Sequence, residues 1–197
     1  MLGLMPATLQ GQAVLDAGCG SGRYMLHALR RGAARAIGVD LSPEMLDCAR
    51  GELGALRPGV EVELLQCSLE ALPVPDTWAD LTICGLVIGH LENLQHSLAE
   101  LRRVTRPSGT LLCSDVHPIG HALGWLRDFK SGGQRYAVRH TQHLFSHWHA
   151  ACAALGLTIE RVLEPMLDPA DIRADARFDR MALEVPVALV FQLRRLA

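Results

Sequence analysis

An α/β fold built on a doubly wound, mostly parallel sheet is the architecture this sequence predicts, and three observations predict it. Short apolar runs at 14–15, 36–39, 60–65, 81–84 and 110–113 alternate with helix-length stretches rich in Leu, Ala and Arg. Such an alternation is the rhythm of βαβ units, whose strands run parallel. The first run also delivers an acidic residue straight into three alternating glycines, Asp16-Ala17-Gly18-Cys19-Gly20-Ser21-Gly22. A strand that turns this tightly at its end belongs at the carboxyl edge of an open sheet, where right-handed crossovers gather the ligand-binding loops.

The elements have legible ends. Without a Cβ, glycine lets the turn after the first strand bring its backbone N–H groups close to a ligand. A helix over 23–31 follows and stops at Gly32. Strand two, at 36–39, ends on Asp40, and Ser42 with Pro43 supplies an N-cap and first-turn proline for the next helix. Strands three and four follow at 60–65 and 81–84, then a helix over 94–105 halted by Arg106-Pro107, then strand five at 110–113. A helix at 146–155 ending on Gly156 and strands at 157–162 and 185–193 bring the count to seven strands. Residues 116–145 form a Gly- and His-rich insert, longer than the roughly 12 to 15 residues that already make a long loop, and are expected to cover a substrate. Residues 168–180, rich in Asp and Arg, read as a solvated connection or short helix.

Composition narrows the function. At 197 residues and 49% hydrophobic content the chain reads as a single globular domain, 1–197, rather than a disordered one. A net charge of −2, with no basic run beyond the Arg pairs at 30–31, 102–103 and 194–195, argues against a nucleic-acid footprint and for a small-molecule partner. Six cysteines without a Cys-x-x-Cys pair read as reduced thiols, and no span or targeting segment is visible; a cytoplasmic protein is expected.

The glycine turn excludes two ligands. A dinucleotide fingerprint needs glycine at the sixth position from Gly18, which is Arg23, and no Gly-Lys-Ser or Gly-Lys-Thr closes a phosphate loop. Asp16 would repel a phosphate and suits an ammonium-bearing ligand such as S-adenosylmethionine.

With that turn, Ile37-Gly38-Val39-Asp40-Leu41-Ser42, the segment 68–76 and the Arg106-Pro107-Ser108-Gly109 turn, the chain resembles the class I S-adenosylmethionine-dependent methyltransferases. The resemblance implies a Rossmann-like seven-stranded sheet closed by an antiparallel C-terminal strand pair, with S-adenosylmethionine as cofactor. It implies that Asp16, Ala17, Gly18, Gly20 and Gly22 hold the methionine end, and that Asp40, with Leu41 beside it, binds the ribose hydroxyls. Met45 would lie against adenine, and Cys84, Gly85 and Leu86 would line the methyl-transfer side. Ser68 stands where the family usually has an aspartate, which shifts adenine recognition toward the backbone of Leu69. Ser108 replaces the first glycine of the usual Pro-Gly-Gly and implies a modest change of turn geometry.

Methyl transfer is an in-line displacement that needs positioning above all, with a base only for acceptors that must lose a proton. Among nine histidines, His90, His117, His140 and His143 fall where they can face the cleft; His117 is the first choice for base, His143 the second and His90 the third. His143 and His147 have helical spacing, but no His-Glu-x-x-His signature accompanies them, and no metal site is expected. Trp125, Phe129, Tyr136, Phe145 and Trp148 fit either an aromatic acceptor pocket or a satellite core. The short segment before strand one leads to the expectation of a comparatively open cofactor cleft, or of one completed by the insert or by a second subunit in a homodimer. Three rivals stand beside a small-molecule methyltransferase acting on an O, N or C nucleophile. They are a cofactor-binding protein without catalysis, an RNA or protein methyltransferase, and a nicotinamide-dependent oxidoreductase.

Overall fold

The first apolar run becomes β1 (Ala13–Ala17), buried at every residue because both faces of the sheet are covered. The computed structural model describes residues 1–54, 60–125, 128–172 and 179–197. The sheet order is β3-β2-β1-β4-β5-β9-β8, formed by β1, β2 (Arg35–Asp40), β3 (Glu61–Gln66), β4 (Ala79–Gly85), β5 (Thr105–Val116), β8 (Leu157–Leu163) and β9 (Ala188–Arg195). The pairs among β1 to β5 are parallel, while β9 runs antiparallel to both β5 and β8. This is the expected mostly parallel seven-stranded sheet with an antiparallel C-terminal pair. The chain order reverses between β1 and β4, which opens a crevice at the carboxyl ends of these strands.

Alternation along the strands feeds two cores. Val14, Leu81 and Ile83 pack with α1 (Arg23–Arg30) and α2 (Pro43–Leu53) through Met25, Ala28, Ala49 and Leu53. Leu15, Cys84 and Leu111 turn to the other face, toward α3 (Leu94–Val104) and α5 (Phe145–Ala154). On that face Trp148 and Phe191 are fully buried and stacked with centroids 4.4 Å apart. The aromatics therefore divide: Trp148 belongs to the main core, whereas Phe145 and Tyr136 are exposed.

Three departures from the expected boundaries have local causes. Strand β5 starts at Thr105 rather than 110, a register shift against β4 between Ala79 and Leu81 absorbing the extra residues. Strand β9 starts only after Pro186, which has no N–H for the ladder. The insert carries regular structure of its own among the described residues, α4 (Pro118–Ala122) and a hairpin of β6 (Asp128–Ser131) with β7 (Gln134–Ala137). Gly132 and Gly133, both at positive φ (56° and 80°), make the tight hairpin turn. Residues 173–178 of the acidic and basic connection and the Phe129 side chain lie outside the described residues. No described helix is long and apolar enough to cross a membrane.

Candidate active site

The glycine turn leaves β1 with Gly18, Gly20 and Gly22 at φ of 76°, 52° and 80°. The amides of Gly18 and Cys19 both donate to the Val39 carbonyl at 2.8 Å, which locks the turn to the end of β2. Gly18 answers a second constraint, since a Cβ there would sit 2.3 Å from a Val87 methyl. The turn is thus pressed against the loop that leaves β4.

Two carboxylates hold it from below and from the side. Asp16 is fully buried; its Oδ2 accepts the Met25 amide at 3.1 Å, doing for α1 what its N-cap, Gly22, has no side chain to do. Its Oδ1 is buried without a hydrogen-bond partner. Burial pushes the Asp16 carboxyl up to about 7, opposed by the Met25 bond and aided by the nearby charge of Asp40. Asp40 accepts the Gly20 amide at 2.8 Å through Oδ2 and the Ser42 amide at 2.9 Å through Oδ1. It therefore pins the glycine turn as well as the start of α2, a role that sequence reading does not reveal.

Beside Asp40 two large apolar side chains face solvent, Leu41 at 70% and Met45 at 47% exposure. An exposed apolar pair next to a polar turn is a surface that a flat apolar ligand can cover. The Ser68 hydroxyl oxygen accepts the Glu70 amide at 3.2 Å and so serves its own turn, while the Leu69 side chain lies in the core. At the end of β4, Ala17 and Cys84 are fully buried, and Gly85 lies against the Tyr24 ring. Leu86 sits half-exposed at φ 60°, a left-handed conformation that costs a non-glycine residue about 1–2 kcal/mol. Burial raises the Cys84 thiol well above its ordinary value and the Cys19 thiol to about 12, so both are packing groups.

The three histidines chosen from sequence are placed differently from one another. His117 is buried, its Nδ1 accepting the Ile119 amide at 3.1 Å as the cap of α4 and its Nε2 lying 3.1 Å from Glu164. Buried His143 bonds the Leu91 carbonyl through Nε2 at 3.0 Å. Exposed His90 places Nδ1 3.3 Å from the Arg139 carbonyl. His147 accepts the Leu144 amide, an N-terminal contact of α5.

Sequence reading missed Asp115 and His121. Asp115, at the carboxyl end of β5, lies 2.9 Å from His140 Nε2. His140 Nδ1 in turn lies 3.2 Å from His121 Nε2. The available signal was an acidic residue closing a central apolar strand, but its partner lies 25 positions away on another segment. Among the described residues no group of three or more His, Cys, Asp or Glu is arranged to hold a metal ion.

Residues 15–113, half of the chain, match the model of the methyltransferase domain family. The chain belongs to the class I S-adenosylmethionine-dependent methyltransferase family. It is 34% identical over 153 residues to the malonyl-[acyl-carrier protein] O-methyltransferase of Serratia marcescens, covering 76% of this chain and 55% of that protein. To the ribosomal protein L11 methyltransferase of Azotobacter vinelandii it is 37% identical over 108 residues, 55% of this chain and 35% of that one. The chain thus spans about half, or less, of the length of these curated relatives. A solved S-adenosylmethionine-dependent methyltransferase from Mesorhizobium loti shares the fold with a TM-score of 0.77 and 24% identity, covering 98% of this chain and 95% of that one. In this methyltransferase-family chain the family match ends at residue 113, so it includes Asp16 and Asp40 but neither Asp115 nor the insert.

Proposed function

We propose that the chain transfers the methyl group of S-adenosylmethionine to an O, N or C nucleophile of a small molecule. The observation that carries the reading is Asp16 Oδ1, a fully buried carboxylate oxygen without a partner beside the glycine turn. A buried carboxylate is costly unless paired, and the cofactor's ammonium supplies the missing pair. Asp16, Ala17, Gly18, Gly20 and Gly22 hold the amino-acid end. Asp40 with Leu41 holds the ribose, Met45 and the Leu69 backbone border the adenine with Ser68 nearby, and Cys84, Gly85 and Leu86 line the methyl side. When bound, the sulfonium supplies an electrophilic methyl carbon; the protein supplies position.

The acceptor lies beyond Leu86, under the insert at 116–145. His117, His143 and His90 are the imidazoles of this edge named from sequence as possible bases, with His117 the most firmly held of the three. The net charge of −2 favours a small molecule over a nucleic acid, and six free cysteines favour a reducing, cytoplasmic setting.

Calorimetric titration tests the reading: S-adenosylhomocysteine binds, NADH does not compete, and a product assay registers methyl transfer. NADH binding in its place would move the chain to the oxidoreductases. Binding without turnover on any acceptor would leave a cofactor-binding protein.

A further inference from the structure

We propose that the methyl acceptor is a hydroxyl compound that loses its proton during transfer, and that His121 takes this proton at Nδ1 through a relay completed by His140 and Asp115. The inference rests on the cofactor reading above and deepens it by naming the acceptor class.

The relay is built into the fold. The Asp115 and His140 side chains are 3% and 8% exposed, and their bond is 2.9 Å long. Asp115 Oδ1 also accepts the Val116 amide at 2.8 Å. Hydrogen-bond chemistry then sets the direction of the chain. A carboxylate only accepts, so a neutral His140, the state the proposal requires before transfer, presents Nε2–H to Asp115 and keeps a lone pair on Nδ1. His121 must donate its own Nε2–H to that lone pair across 3.2 Å, which leaves His121 Nδ1 as the basic atom. His121 is exposed, as an atom that meets a substrate must be.

One loop ties this relay to the cofactor turn. Val87 presses on Gly18, and two residues later Gly89 presses on His140, whose Nε2 would lie 2.0 Å from a Cβ at position 89. The Thr141 amide donates to the Gly89 carbonyl at 2.6 Å, and the Leu86 amide to the Ser114 carbonyl at 2.8 Å, fixing both sides of the loop. The His140 imidazole is therefore packed on the same loop after β4 whose Val87 packs on the glycine turn, and the proposed methyl-transfer side at Leu86 belongs to that loop. His90 closes the cluster edge-on, 6.1 Å from the His140 ring.

The proton path balances. The acceptor oxygen gains the methyl carbon while its O–H bond breaks, and the electron pair of the broken C–S bond stays on sulfur as a thioether. The proton goes to His121 Nδ1, the Nε2 proton of His121 passes to His140 Nδ1, and the positive charge comes to rest beside the Asp115 carboxylate. The Asp115 carboxylate, 2.9 Å away, offsets the charge of that imidazolium. An acceptor already ionised, such as a carboxylate, has no use for the relay.

Two measurements on the full chain test this. Nitrogen-15 imidazole spectra should show both His140 and His121 protonated at Nε2; a proton on His140 Nδ1 would reverse the chain and overturn the proposal. Phenols of graded acidity are the acceptor probes. His121→Gln, an exposed position suited to a folded variant, should leave S-adenosylhomocysteine affinity unchanged and lower methylation of weakly acidic phenols by about 10²-fold. The deficit should shrink as the phenol becomes acidic enough to ionise unaided. Equal turnover by His121→Gln and the parent, or no phenol methylation by a chain that binds S-adenosylmethionine, would overturn the relay. Failure of the parent chain to bind the cofactor would instead sink the underlying reading.

Discussion

The two edges of the sheet treat their carboxylates in opposite ways. At the amino edge Asp80 is paired with Arg106 and also accepts the Ala13 amide at 2.7 Å. Nearby, Arg103 joins Glu100, Asp76 and the carbonyls of Leu72 and Val74. At the carboxyl edge Asp16, Asp40 and Asp115 bond only backbone amides and one imidazole among the described residues. The amino edge is finished by its own arginines, and acid–base pairing there holds strand ends and helix ends together. The three strand-end aspartates of the carboxyl edge have no arginine partner among the described residues, although Glu92 in the loop after β4 pairs with Arg139. That difference separates aspartates already tied by arginine from aspartates that the proposed cofactor site leaves open to a cation.

Substitutions that cross this divide should have effects of different kinds. Asp40→Ala should give the largest loss of cofactor affinity, about 10²-fold by calorimetry, because the charge-assisted ribose bonds proposed for Asp40, worth roughly 1.5–3 kcal/mol each, would disappear. Anchoring of the glycine turn goes with them. Asp80→Ala, its counterpart at the far edge, should leave that affinity intact and lower the unfolding free energy by about 1–3 kcal/mol. Equal loss of affinity from both would erase the comparison.

Asp16→Asn should weaken S-adenosylhomocysteine binding by about tenfold or more and yet raise the stability of the ligand-free chain at about pH 8, where the native carboxyl must be charged and its Oδ1 lacks a partner. The pH dependence follows with a definite sign. Because burial raises the Asp16 carboxyl from 3.8 to about 7, the folded chain holds a proton that the unfolded chain has lost between those values. Stability is therefore fully present below about pH 4 and is lost as pH rises through about 7. Denaturant titrations across that window should show the slope in the parent and its loss in Asp16→Asn. Cofactor affinity should run the other way, rising with pH as Asp16 ionises.

The smallest effect lies outside the site. Ser108 stands at φ 59°, so the irregular first part of β5, where the register against β4 shifts, keeps a glycine-like bend and accepts the strain of a side chain. Ser108→Gly should gain about 1 kcal/mol in a denaturant melt with no change in cofactor affinity.

How much of this was legible depended on the length over which each signal acts. Strands β1 to β5 and helices α1 to α3 announced themselves through local periodicity and through Gly32, Ser42 and Pro107. Asp16 and Asp40 stood out because each closes an apolar run. The hairpin at Gly132-Gly133 carried a local signal that the insert's polar composition obscured. The Asp115–His140–His121 chain could not be read from the sequence, because three segments meet there only through tertiary packing, and imidazole spacing along the chain does not encode it. Trp148 was ambiguous for the same reason: its partner, Phe191, lies on a strand that arrives last.

The deciding measurement is a crystal structure of the chain with S-adenosylhomocysteine bound. The ammonium should lie against Asp16 Oδ1 at the glycine turn, the sugar beside Asp40, and the sulfur should face Leu86. A ligand lodged anywhere else, or a crevice left empty at saturating concentration, would contradict the assignment of the carboxyl edge as a cation-receiving cofactor site.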